Sequence, residues 1–158
     1  MIVIDSEPKN EVYYSVIDLA FDICDEFILV VERSYPPSLN NNGKLILKKL
    51  RPFFIEKKKQ SEWAGTTLAK GDTAFVYHYR TDPGAKEIIK EVSRSLYDWV
   101  HRDFPEDLSF YKNGKPWLVN VSHERISHFN TDDESDIRSI KSIERLDTHS
   151  FKKRIRNF

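Results

Sequence analysis

The sequence predicts an α+β domain with helices packed on a mixed or antiparallel sheet, and three observations carry that expectation. Asn113-Gly114 lies between two alternating apolar runs, a strong short signal for a hairpin, because a type I′ turn needs φ > 0 at both central residues. Val12, Val16, Leu19, Ala20, Ile23 and Phe27 recur with the spacing of one helix face. Thr73, Phe75, Tyr77 and Tyr79 alternate with Ala74, Val76, His78 and Arg80, as side chains do along a strand.

In chain order, the first helix is expected over 10–24. The run Phe27-Ile28-Leu29-Val30-Val31 follows, rich in β-branched residues, and reads as a strand covered on both faces. Pro36, Pro37 and Asn40-Asn41-Asn42-Gly43 read as a loop. Leu45, Ile46, Leu47 and Leu50 mark a short helix that stops near Pro52, since the residue before a proline is biased away from the α region. Phe53-Phe54-Ile55 starts a second strand, which fades into Lys57-Lys58-Lys59. After the alternating strand over 72–80, Asp82 is suited to cap a helix and Pro83 to open it. That helix is expected from Pro83 to about Arg102, with Ile88, Ile89, Val92, Leu96 and Trp99 on its buried stripe.

A two-residue turn then fixes the hairpin register, with Lys112 opposite Lys115, Tyr111 opposite Pro116, Phe110 opposite Trp117 and Leu108 opposite Val119. Leu108, Phe110, Trp117, Val119 and Val121 share one face, with His123 at its far end. Ser109, Tyr111, Asn120, Ser122 and Glu124 fall mostly on the other. Pro116 has no N–H to donate, so its end of the strand is expected at a sheet edge. The expected order is α-β-α-β-β-α-β-β.

A chain of 158 residues is long enough to bury about 68–70% of its unfolded surface, and one globular domain is expected over 1–130. Composition shifts after Asn130. Thr131-Asp132-Asp133-Glu134-Ser135-Asp136 is strongly acidic, and Ile137 to Phe158 carries Arg138, Lys141, Arg145, Lys152, Lys153, Arg154 and Arg156 against Glu144 and Asp147. Residues 131–158 are expected as a charged, flexible tail.

The 25 basic and 25 acidic residues cancel, which argues against a dedicated nucleic-acid binder. A single cysteine, Cys24, excludes an internal disulfide and fits a reducing compartment. No apolar run reaches the ~18–20 residues of a membrane helix, and the N-terminus lacks the basic region of a secretory signal. A cytoplasmic protein is expected, without a membrane partner.

Asp25-Glu26-Phe27-Ile28-Leu29-Val30-Val31-Glu32-Arg33, Ser61-Glu62-Trp63-Ala64-Gly65-Thr66, and Ser95-Leu96-Tyr97-Asp98-Trp99 running into Pro105-Glu106-Asp107-Leu108, Trp117-Leu118-Val119 and Ser122-His123-Glu124 occur in that order. Together they resemble a family of small uncharacterised bacterial proteins, some of which carry a stage III sporulation protein AH-like label. The resemblance covers roughly Tyr13 to Arg125, leaves the tail unmatched and brings no catalytic residue.

His123-Glu124 is the one catalytic candidate, a histidine beside a carboxylate that could orient it for general-base work; the alternative is a solvated pair at the end of the core face. His78, His123 and His128 carry no spacing of a metal site, so neither metal nor cofactor is expected. Trp63, beside Glu62, reads either as an exposed interface anchor or as core beneath a loop. Tyr97, Asp98 and Tyr111 complete the candidate binding set. Lys57-Lys58-Lys59 reads as a solvated run protecting a strand edge, with phosphate contact as the minor reading. The leading expectation is a protein-interaction domain, with toxin neutralisation as an immunity protein its narrower form by analogy. The rival is a small hydrolase using His123 and Glu124, and nucleic-acid binding through the basic tail is weakest.

Overall fold

The computed structural model describes residues 1–32 and 39–151. Pro36 and Pro37, expected in a loop, lie outside the described residues, as does the basic end of the tail from Lys152, whereas Asn41, Asn42 and Gly43 of the same expected loop form the first turn of a helix that Asn40 caps by accepting from Gly43 N. The elements are β1 (Ile2–Ile4), α1 (Glu11–Ile23), β2 (Glu26–Glu32), α2 (Asn41–Leu50), β3 (Phe54–Gln60), β4 (Glu62–Trp63), β5 (Thr66–Thr67), β6 (Ala74–Arg80), α3 (Pro83–Val92), β7 (Glu106–Lys112), β8 (Lys115–Val121), β9 (Ile126–Phe129), α4 (Glu134–Lys141) and β10 (Thr148–Ser150). Eight strands form one antiparallel sheet in the order β10-β1-β9-β8-β7-β2-β6-β3, and β4 pairs with β5 separately. The fold is α+β.

The helices cover one face of this sheet. Tyr13, Val16, Ile17 and Ala20 of α1, Ile46 and Leu50 of α2, Ala85 and Ile89 of α3 and Ile140 of α4 share a core with Phe27, Leu29, Tyr79, Leu108, Phe110 and Trp117. The opposite face is covered where Trp63 joins Ile28, Val30, Ala74 and Val76 in a second cluster. The apolar run of β2 is buried on both sides for this reason: Phe27, Ile28, Leu29 and Val30 are fully inaccessible. Gly65, at φ +78, fixes the close approach of the β4–β5 flap, since a Cβ there would fall 2.7 Å from Val119 and 2.8 Å from Val121.

The helix expected to reach Arg102 ends at Val92. Beyond it, serine and aspartate side chains capture backbone N–H groups that a helix would have used. Asp98 Oδ2 accepts from the backbone N–H groups of Arg94 and Ser95 at 3.2 and 3.1 Å, and Ser95 Oγ accepts from Tyr97 N. The main chain at Asn10 donates to Arg94 O, and Leu96 N donates to Pro8 O. Leu96 and Trp99 still reach the core, but from a short 3-10 turn and the loop after it.

The hairpin turns at Asn113 and Gly114 with φ of 52° and 77°, and Lys112–Lys115 and Tyr111–Pro116 pair as expected. A bulge then shifts the register, so Phe110 faces Leu118 rather than Trp117. The extra residue reverses the facing of the strand beyond it: Leu118 enters the helix-side core, whereas Val119 and Val121 meet Gly65 of the flap. Pro116 lies beyond the β8–β9 ladder, which begins at Leu118–Phe129, so the strand end is a local edge inside a wider sheet. Gly114→Val should cost on the order of 1–3 kcal/mol, because a β-branched residue would be forced to positive φ. A denaturant midpoint unchanged from the parent protein would refute that turn.

The boundary expected at residue 130 is corrected as far as Phe151. Asp133 caps α4 by accepting from Asp136 N at 2.9 Å, and Ile137, Ile140, Ile143 and Leu146 pack on the main core. β10 pairs along β1. A three-residue apolar recurrence that drifts around a helix suits a helix of one or two turns followed by a bend, which α4 and the turn after it supply.

Candidate functional site

Most of the residues singled out in the sequence serve the fold. Trp63 is buried, and its Nε1 donates to Asp107 Oδ2 at 3.2 Å. It is core beneath a loop and leaves no exposed anchor. Glu62 beside it is exposed on the flap. The hydroxyl of Tyr97 shares a hydrogen bond with Ser127 at 2.8 Å, Asp98 caps the turn after α3, and the hydroxyl of Tyr111 accepts from Ala64 N at 3.1 Å. Burial pushes the Tyr97 and Tyr111 hydroxyls above their ordinary range. Cys24 is a packed thiol, its acidity suppressed by burial.

His123 and Glu124 lie on a 3-10 turn over 122–124 rather than at the end of a strand. Both side chains are about half exposed, and His123 Nε2 and Glu124 Oε1 stand 3.8 Å apart, too far for the hydrogen bond that would orient a base. His78 is held instead between Glu26 and Gln60 across neighbouring strands, and burial lowers the basicity of His128. Among the described residues, the one grouping with metal-ligand character is Glu106, Asp107 and His123, whose ligand atoms lie within 4.8 Å of one another. Asp107 reaches it through a second bulge, between β2 and β7, at φ 57°. Its carboxylate also accepts from Trp63 Nε1 and from Ser122 N.

A different surface gathers binding chemistry at the β3 end of the sheet. Lys44, Leu47, Lys48 and Arg51 occupy one face of α2 and the turn after it, at i, i+3, i+4 and i+7. Opposite them, register places Phe54 beside Tyr79 and Lys57 beside Tyr77. Between the two lies an open groove of about 440 Å³ with Phe54, Tyr77 and Tyr79 as its aromatic floor. The Phe54 ring packs at 6.2 Å from Tyr77 and 6.0 Å from Tyr79. Lys57 Nζ sits 4.2 Å from the Phe75 ring centroid and 5.4 Å from that of Tyr77, a favourable place for a cation. Among the described residues none of Lys44, Lys48, Arg51 and Lys57 stands in an ion pair, whereas Lys49 pairs with Glu91 and Lys58 with Glu56. The groove is apolar below and cationic at its rim.

Sequence reading missed this site because its parts are dispersed: helix lysines, a lone exposed Phe54 and an alternating strand become one surface only through pairing. The one signal in the sequence was local charge, since Lys44, Lys48, Lys49, Arg51, Lys57, Lys58 and Lys59 stand against the single acid Glu56 in a chain of zero net charge. Set against protein-family models, curated proteins and solved structures, the chain finds no match. No helix among the described residues is long and apolar enough to cross a membrane.

Proposed function

We propose that the chain is a cytoplasmic bacterial protein-interaction domain that binds its partner at the α2–β3 end of the sheet. The observation that carries this reading is the terminal strand β3: it is exposed along nearly its whole length, has no outer neighbour among the described residues, and borders the cationic, apolar-floored groove. Phe54 and Ile55 are 41% and 49% exposed there, and large apolar side chains at an open edge mark an interaction site or a liability. Bacterial origin rests on the resemblance of residues 13–125 to small bacterial proteins, and toxin neutralisation is the narrower form by analogy.

Affinity capture from a bacterial extract, followed by calorimetry on the isolated partner, tests this. Phe54→Ala should weaken binding by about 2 kcal/mol, as expected of an aromatic anchor, with the melting temperature nearly unchanged. A partner whose affinity ignores Phe54→Ala and Arg51→Glu would overturn the assignment of the surface.

The Glu106–Asp107–His123 grouping favours a second reading, a small hydrolase centred on the 122–124 turn, with His123 as base or ligand beside two buried carboxylates. Glu124 has no part in it. Saturable turnover in a hydrolase screen, lost in His123→Ala and kept in Phe54→Ala, would replace the binding reading.

A further inference from the structure

We infer that the groove takes an acidic, apolar-anchored stretch of polypeptide laid along β3. This inference rests on the reading that the α2–β3 end is the working surface, and it adds the chemistry of the ligand bound there.

Three observations converge. The outer edge of β3 offers backbone N–H and C=O groups in strand register, the one feature that another polypeptide, and no other polymer, can match bond for bond. Lys57 and Lys59 share one face of that edge strand, opposite Tyr77 and Phe75, while Lys58 falls on the other face and pairs with Glu56. Lysines on an edge strand repel chance pairing by neutral or basic strands, because pairing would crowd ammonium groups against apolar side chains. A strand bearing Asp or Glu opposite them turns the same residues into complementary contacts, which confers selectivity by charge. Beside the edge, Leu47 on the α2 side and Phe54 on the floor line the groove with apolar surface, which accommodates a leucine or phenylalanine side chain from the added strand, and Lys48 and Arg51 lie within reach of flanking carboxylates.

Single-stranded nucleic acid fits less well, although the cationic rim would attract phosphates. Such proteins stack successive bases on free ring faces. Here Tyr79 is buried and stacks on Phe27 at 5.1 Å between centroids, and the Tyr77 face is approached by Lys57. Phe54 alone is left exposed among the floor rings.

The test uses the full chain and fluorescence anisotropy with four probes: a labelled twelve-residue peptide alternating Glu with Leu and Phe, its Gln-for-Glu counterpart, polyglutamate, and an oligouridylate of matching charge. The acidic-apolar peptide should bind at least tenfold more tightly than each of the others, and its affinity should fall at least tenfold in Phe54→Ala and in the double variant Lys57→Glu/Lys59→Glu. Hydrogen exchange should slow at β3 amides when the peptide is added. Oligouridylate or the neutral peptide binding as tightly, with Phe54→Ala still weakening it, would overturn the acidic-peptide inference and leave the groove as the working surface. Exchange protection confined to α2 would overturn strand addition in the same way. Self-association that competes with every probe and is lost in Phe54→Ala would make a second copy of this chain the occupant. No probe responding to Phe54→Ala or Arg51→Glu would remove both readings.

Discussion

Asp136→Ala is expected to destabilise the fold by roughly 3 kcal/mol or more, since it removes several hydrogen bonds to one carboxylate and each is worth about 1.5–3 kcal/mol when the acceptor is charged. The carboxylate is almost fully buried and accepts from Trp117 Nε1 at 3.0 Å, Lys112 Nζ at 3.1 Å and Thr131 Oγ1 at 3.0 Å. It therefore ties α4 to the hairpin. The variant leaves the indole N–H of Trp117 buried without an acceptor, which is the costly side of losing a hydrogen bond. Burial alone would push the Asp136 carboxyl up, but the donors at Trp117, Lys112 and Thr131 outweigh it and hold the group below its ordinary range.

A depressed carboxyl makes stability depend on pH with a definite sign. At a pH between the folded and unfolded values, the unfolded aspartate binds a proton that the folded one refuses, so stability rises with pH in that window. The contribution is fully present above the ordinary aspartate range, near 3.9, and is lost as pH falls through the lower folded value. Glu7 adds to the slope: although burial opposes it, hydrogen bonds from Ser95, Arg125 and Lys9 depress its carboxyl too. Denaturant melts from pH 7 into acid should accordingly show a shallower loss in Asp136→Asn than in the parent chain. Parallel curves would mean that this carboxylate does not tie α4 to the hairpin.

The strands and helices with strong local signals were legible in the sequence: α1 from its apolar spacing, β2 from its doubly covered run, β6 from alternation and the turn at Asn113-Gly114 from its chemistry. The illegible parts depended on partners distant in the chain. Ile2-Val3-Ile4 has strand-forming side chains but only three residues, too few for an alternation to show, and it becomes a strand because β9 and β10 pair on either side. The bulge that turns Val119 toward the flap leaves no periodic trace, since it breaks the period that would reveal it. Asp136 reads as one more acid in a charged run until the indole of Trp117, 19 residues away, is placed against it. The groove depends on the same logic, because Phe54, Tyr79 and Arg51 meet through pairing of β3 with β6 and the packing of α2, and the candidate at His123 changed partners once Glu106 and Asp107 were brought beside it.

Trp99→Ala should cost about 3–5 kcal/mol, the range for deleting a fully buried large aromatic. Trp99 is inaccessible, packs edge-on against Phe104 at 5.2 Å and donates from Nε1 to the hydroxyl of Tyr13 at 3.2 Å. Tyr13 lies on α1, 86 residues earlier, so the contact joins the first helix to the irregular segment beyond α3. Two losses therefore combine: a cavity that loop backbone cannot easily collapse into, and a buried hydroxyl deprived of its donor. Trp99→Phe separates them, since it keeps most of the apolar volume and loses only the N–H; its cost should stay near 1–2 kcal/mol, within the range for one buried hydrogen bond plus a small void. Equilibrium unfolding monitored by circular dichroism measures both. A change below about 1 kcal/mol for Trp99→Ala would show that residues 93–105 lie on the surface of the domain, as a continued amphipathic helix would have placed half of them, and not as the plug that seals α1 against the sheet.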